Sequence, residues 1–163
     1  MNRRSFLLSI AALPTLSLPF AGLSLSGLSR AAHASANGPT VEVMKSPSCG
    51  CCSAWADHLL GAGFQVELRD LSDDALWQMK DRLGVPEPLA SCHTARVEGY
   101  VIEGHVPAAD ITRLLQERPN AKGLTVPGMP LGSPGMEMGQ MRDRFDTLLL
   151  RHDGRSTVFA QHG

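Results

Sequence analysis

Three of the chain's four cysteines stand within four residues, Cys49-Gly50-Cys51-Cys52, and the fourth, Cys92, is followed directly by His93. A disulfide framework spreads its cysteines to close long loops. Three thiols in one turn of backbone cannot all pair with each other, and they suit soft-metal ligation or redox chemistry instead. Cys49 and Cys52 have the C-x-x-C spacing of dithiol redox motifs, although Cys51 intrudes between them. The bland alternative is an inert Cys49–Cys52 disulfide with Cys51 and Cys92 buried or paired. Thiolates select Cu(I), and neighbouring thiolates can bridge several ions, so a multinuclear copper site is the expectation. Zinc competes, because four cysteines, or three with one histidine, close a tetrahedral site.

Methionines form a second constellation. The run Leu124 to Gly139 is too rich in Pro and Gly for a regular helix or central strand. Within it Met129, Met136 and Met138 offer thioethers to a soft cation, with adaptable surface filler as the alternative use. Met141 is read as part of the following structure. Two histidines join the candidate ligands: His93, beside Cys92, and His105, just before Pro107. His58, His152 and His162 read as solvated.

These groups need elements to hold them. Thr40 to Met44 is β-branched and strand-like, Lys45-Ser46-Pro47-Ser48 breaks it, and a helix follows from Cys51 to Leu60 with Cys52, Trp55, Ala56 and Leu59 on one face. Cysteines on a first helical turn meet free backbone N–H groups and the positive end of the helix dipole, both of which favour thiolate. Phe64 to Arg69 alternates as a second strand. Ser72 with Asp73 and Asp74 caps a second helix whose inward stripe is Leu76, Met79 and Leu83. Thr94 to Val97 and Tyr100 to Glu103 form a hairpin through Glu98-Gly99, and Pro107 starts a third helix at N1 with Ile111, Leu114 and Leu115 inward. The order β-α-β-α-β-β-α is the thioredoxin-like arrangement, an α/β fold with a mixed sheet and flanking helices. No proline precedes the third strand, where thioredoxins carry the cis-proline that helps hold a peptide substrate, which disfavours ordinary protein disulfide exchange. Phe145 to Leu150 and Ser156 to Ala160 flank Asp153-Gly154, a hairpin signal, and this hairpin anchors the Met loop over the thiols.

The first residues address compartment. Arg3-Arg4-Ser5-Phe6-Leu7-Leu8, an apolar stretch and Ala32-His33-Ala34 read as a twin-arginine-type signal over residues 1–34, removed on export to the periplasm. A membrane anchor is the rival, but Pro14, Pro19 and scattered serines make a poor spanning helix. What remains is long enough for one domain, with a core over 40–118 and a Met loop and hairpin extension over 119–163. The net charge of -1, with no clustered Lys and Arg, excludes a nucleic-acid surface. After signal removal nothing calls for a membrane, and a monomer is expected.

The segments VMKSPSCGCCSAW, SCHTARVEGYVIEGHVPAADITRLL, VPGMPLGSPGMEMG and DTLLLRHDGRSTVFA together resemble the CopG-like copper-resistance family, exported proteins formerly classed as a domain of unknown function. The resemblance runs from Val41 to Ala160. It implies a thioredoxin-like fold, copper binding and periplasmic copper handling, with oxidoreductase activity on the metal itself and copper-efflux or copper-carrier proteins as partners. Taken with the residues, it makes Cys49, Cys51, Cys52 and Cys92 the thiolate ligands, Met129, Met136, Met138, His93 and His105 the completing donors, and Cys49, Cys51 and Cys52 the redox groups. A non-enzymatic copper chaperone or sequestering protein would share these ligands without turnover. A thiol-disulfide oxidoreductase is the third reading.

Overall fold

Residues 38–163 are described by the computed structural model; the signal assigned to residues 1–34 lies outside them. Seven strands and three α-helices follow in the order β1 (Thr40–Lys45), α1 (Gly50–Gly61), β2 (Gln65–Asp70), α2 (Asp73–Leu83), β3 (His93–Val97), β4 (Tyr100–Glu103), α3 (Ala108–Glu117), β5 (Gly123–Thr125), β6 (Phe145–Leu150) and β7 (Ser156–His162). The mixed α/β fold and its first seven elements match the sequence reading. One sheet holds all the strands in the order β2-β1-β3-β4-β5-β6-β7, with β1–β2 and β4–β5 parallel and the other pairs antiparallel. Among the described residues, no helix is long and apolar enough to cross a membrane.

Alternation along the strands gives the sheet two distinct faces. Val43, Ala95 and Ile102 lie side by side across β1, β3 and β4. They join Trp55 and Leu59 of α1 and Ile111 and Leu114 of α3 in the main core. Met44, Thr94 and Glu103 line up on the opposite face. There Lys80 of α2 reaches Thr94 and Glu103.

Local signals account for most boundaries. The Ser72 hydroxyl accepts the Ala75 N–H at 3.3 Å and caps α2, and Gly84 ends it in the left-handed conformation. Glu98 and Gly99 both have positive φ (46° and 89°), as a tight hairpin turn with the twist of its strands requires.

Four readings need correction. Pro107 is the N-cap of α3, one position before N1. The buried residues of α2 are Leu76 and Lys80, with Met79 and Leu83 only half-buried. The stretch from Leu124 is not all loop: Leu124 and Thr125 belong to β5, wedged between β4 and β6, and Gly123 approaches β4 so closely that a Cβ there would lie 1.7 Å from the Val101 carbonyl oxygen. His58 and His162 are not merely solvated. His58 Nε2 accepts the Ala108 N–H at 3.1 Å at the start of α3, and His162 pairs with Asp110 at 2.8 Å while stacking on Phe145.

Candidate metal centre

The sheet topology explains why distant cysteines meet. β1 and β3 are antiparallel neighbours whose register sets Lys45 opposite His93, so the loop leaving β1 and the turn entering β3 emerge at the same end of the strands. The α1 cysteines begin in the former and Cys92 closes the latter. Glu103 pairs with Thr94, which brings the end of β4, and His105 beyond it, to that end of the sheet as well.

One ligand atom from each of Cys49, Cys51, Cys52 and Cys92 lies within 4.8 Å of every other, and the same holds for Cys92, His93 and His105. Cys92 belongs to both groups. Its sulfur is 3.5 Å from Cys52 Sγ, 3.0 Å from His105 Nε2 and 3.4 Å from His93 Nδ1. Cys49 and Cys52 are joined as a disulfide, with Cys51 and Cys92 free. Cys51 Sγ sits 3.5 Å from Cys49 Sγ, so each free thiol flanks one sulfur of the bond. Cys52 is buried, whereas the other three are half-buried and open the site towards solvent.

Surrounding contacts set the state of each donor. His105 Nδ1 donates to the Pro134 carbonyl at 2.8 Å, which leaves the Nε2 lone pair facing Cys92. Fixing one ring nitrogen so that the other can ligate is how metal-binding histidines are oriented. His93 is fully buried between Trp55, with ring centroids 4.4 Å apart, and His105 at 5.0 Å. Its Nε2 has no protein partner, an unusual state for a buried nitrogen. Burial, reinforced by neighbouring His105 and Lys80, holds His93 well below the ordinary imidazole range. Burial also lowers His105, against the opposing pull of Pro134 and Glu137. Burial and then Cys51 push the Cys92 thiol up to about 12, so in the metal-free protein it stays protonated, and a thiophilic ion must displace that proton.

A pH dependence follows. Below about pH 6.5 the unfolded chain protonates both imidazoles while the folded chain resists, so the unfolded state binds more protons and stability falls with acid. Metal-free protein is expected to lose stability on going from pH 7 to pH 5, with a slope approaching ~1.4 kcal/mol per pH unit for each histidine held neutral. Denaturant titrations along that range check this. His93→Asn should flatten the dependence, and an unchanged slope would show that His93 is not the group responsible.

The Met loop is placed against the start of α1. At Gly135 (φ +83°) a Cβ would lie 2.6 Å from the Cys51 carbonyl oxygen and 2.7 Å from the Trp55 nitrogen, so only glycine lets the loop backbone come this close. Met136 follows and is half-buried; Met129 and Met138 are exposed by 53% and 55%. The four cysteines and two histidines are thus brought together, while Met129 and Met138 sit at the surface of the same loop.

Sequence reasoning missed the polar support beneath Cys92, which consists of Ser91, Thr94, Glu103 and Lys80. The available signal was Lys80 itself, one turn after Leu76 on the inward face of α2.

A family model described as "Protein of unknown function, DUF411" matches residues 89–136, the stretch containing Cys92, His93, His105 and Met129. No curated protein matches. Two solved structures, described as "Copper resistance protein copG" in forms 2 and 1, are 42% and 43% identical to the chain. Each has a TM-score of 0.72, and the alignments cover 78% and 77% of this chain and 100% and 98% of theirs.

Proposed function

The chain belongs to the CopG-like copper-resistance family, and we propose that it binds copper at the cysteine–histidine cluster and interconverts Cu(I) and Cu(II) there. One observation carries the proposal: four sulfurs from two separate chain segments converge within 4.8 Å, and Cys92 joins them to two imidazoles.

Both halves of a redox cycle find donors in this arrangement. With Cys49 and Cys52 reduced, Cys49, Cys51, Cys52 and Cys92 present four soft thiolates, the set that favours Cu(I) and can bridge more than one ion. With Cys49 and Cys52 bonded, Cys51 and Cys92 remain beside His93 and His105, a mixed sulfur–imidazole set that accepts copper in either oxidation state. The electrons balance. Forming the Cys49–Cys52 bond releases two electrons, which reduce two Cu(II) to two Cu(I), and the two thiol protons pass to solvent; cleavage of the bond by two Cu(I) takes up two protons and runs the exchange in reverse. In this scheme Cys49 and Cys52 exchange electrons, Cys51 and Cys92 hold copper throughout, and Met129, Met136 and Met138 take part in its delivery. The thioredoxin-like reading of the fold, export by residues 1–34, a periplasmic setting and exchange of copper with carrier or efflux proteins belong to the same proposal.

Protein disulfide exchange is the second reading, favoured by the Cys49–Cys52 bond itself. Against it, Ser91 and Cys92 stand directly before β3 where a proline would be needed, so the turn lacks the proline-shaped peptide rest.

Anaerobic titration of the fully reduced protein with Cu(I), combined with free-thiol counting, tests the copper reading. Several Cu(I) per chain and protection of all four thiols are expected. One tightly held zinc with no preference for copper would overturn it. Following copper oxidation state during turnover with an electron acceptor then separates an enzyme from a chaperone.

A further inference from the structure

Behind the metal-facing turn lies a charged network that no ligand assignment uses. Lys80 and Glu103 are 2% and 0% exposed, and Lys80 Nζ meets Glu103 Oε1 at 2.5 Å. Lys80 also donates to Thr94 Oγ1 at 2.8 Å, and that hydroxyl donates to Glu103 Oε2 at 2.6 Å, closing a triangle around the carboxylate. Glu103 Oε1 has one further donor, the backbone N–H of Ser91 at 2.7 Å. Ser91 immediately precedes Cys92, and its hydroxyl donates to the carbonyl of Gly128, which immediately precedes Met129. Gly128 N–H in turn donates to the Ala90 carbonyl at 3.1 Å. The fit is close: at Gly104 (φ +70°), next to His105, a Cβ would lie 2.5 Å from the Ser91 side chain.

Burying an ion pair gives little net stability compared with apolar residues of the same volume. The arrangement does supply direction. The carboxylate is locked by Lys80 and Thr94, and its one other hydrogen bond comes from a backbone amide one residue from a ligand. We propose that Glu103, held by Lys80 and Thr94, is a positioning residue of the metal centre: through the Ser91 amide it fixes the orientation of the Cys92 thiol, and through Ser91 and Gly128 it registers the Met129 end of the loop with that thiol. The role in copper binding rests on the copper reading above, whereas the orientation of Cys92 does not.

Two double variants isolate the contact. Lys80→Met/Glu103→Leu and Lys80→Met/Glu103→Gln both remove the buried charges, but only the second keeps a side-chain oxygen to accept the Ser91 N–H. In reduced, metal-free protein, alkylation of Cys92 followed by peptide mass spectrometry is expected to be at least ~10-fold faster in the Leu variant than in the parent, because a half-buried sulfur released from its fixed orientation is reached more readily. The Gln variant should stay near the parental rate. Cu(I) affinity should fall in the Leu variant and recover in the Gln variant. Adding Cys92→Ser should cost clearly less in the Leu background than in the parent, the non-additivity of residues acting as a unit. A purely structural role would lower stability yet leave the Cys92 increment intact. Equal alkylation rates in the two double variants would overturn the proposal. Should the parent bind no Cu(I), the copper reading fails while the alkylation result still decides the positioning role. Thr94→Val, which keeps both charges and removes only the hydroxyl on Glu103 Oε2, serves if the Leu variant does not fold: faster Cys92 alkylation supports the proposal and an unchanged rate overturns it.

Discussion

Replacing Cys92 with serine is expected to weaken Cu(I) binding by more than the ~10–100-fold that follows loss of an outer-shell partner, because it removes a ligand that joins two donor groups. The other three thiols come from one turn at the start of α1 and cannot enclose an ion from a second side. Cys92 arrives from the turn before β3, its sulfur 3.5 Å from Cys52 and 3.0 Å from His105. Serine keeps the shape and the hydrogen-bonding capacity but offers a hard oxygen to a soft ion. Competition against a chromophoric Cu(I) chelator, on fully reduced protein, measures the loss. Cys51→Ser, which leaves two α1 thiols and the whole Cys92–imidazole group, should cost less. If Cys92→Ser binds Cu(I) within about threefold of the parent, a difference well under 1.4 kcal/mol, Cys92 is not a ligand and the convergence of the two segments has another purpose.

The part of this site that the sequence discloses is the part written in local pattern. Cys49 to Cys52 announce themselves by crowding, and the alternation of β1, β3 and β4 implies the pairing that carries Cys92 and His93 to the same end of the sheet. Ser72, Glu98-Gly99 and Asp153-Gly154 have residue types that their backbone positions demand, and each is found where it was expected. What escaped was non-local. Lys80 and Glu103 are 23 residues apart, and a lysine on a helix reads as solvated unless its partner is known. β5 is three residues long and directly precedes a segment dense in Pro and Gly; it is a strand because β4 and β6 stand on either side, not because of its own propensity. His162 lies near the end of β7 and reads as free until Asp110 on α3 is brought against it by the sheet. In each case the deciding partner comes from an element that the fold, not the neighbouring sequence, delivers.

The buried pair also makes the sharpest stability prediction. Lys80→Met alone leaves the Glu103 carboxylate at 0% exposure with its countercharge gone, and breaking a buried pair in this way costs about 3–5 kcal/mol. For a domain of this size that lowers the midpoint of thermal unfolding by roughly 10–20 °C, read by circular dichroism on metal-free protein. Lys80→Met/Glu103→Gln should regain most of the loss, since no unpaired charge then remains. Acid gives an independent signature. Burial already raises the Glu103 carboxyl, and Lys80 is the largest influence opposing that rise. Without Lys80 the folded-state carboxyl holds its proton more strongly than the unfolded one, so the folded state binds more protons and the variant gains stability relative to the parent as pH falls. The deficit of Lys80→Met should therefore shrink between pH 7 and pH 5 even though both proteins lose the contribution of their buried histidines over that range. A deficit that is constant with pH would mean that Lys80 acts by filling space, and the carboxylate beneath Cys92 would then owe its placement to Thr94 and Ser91 alone.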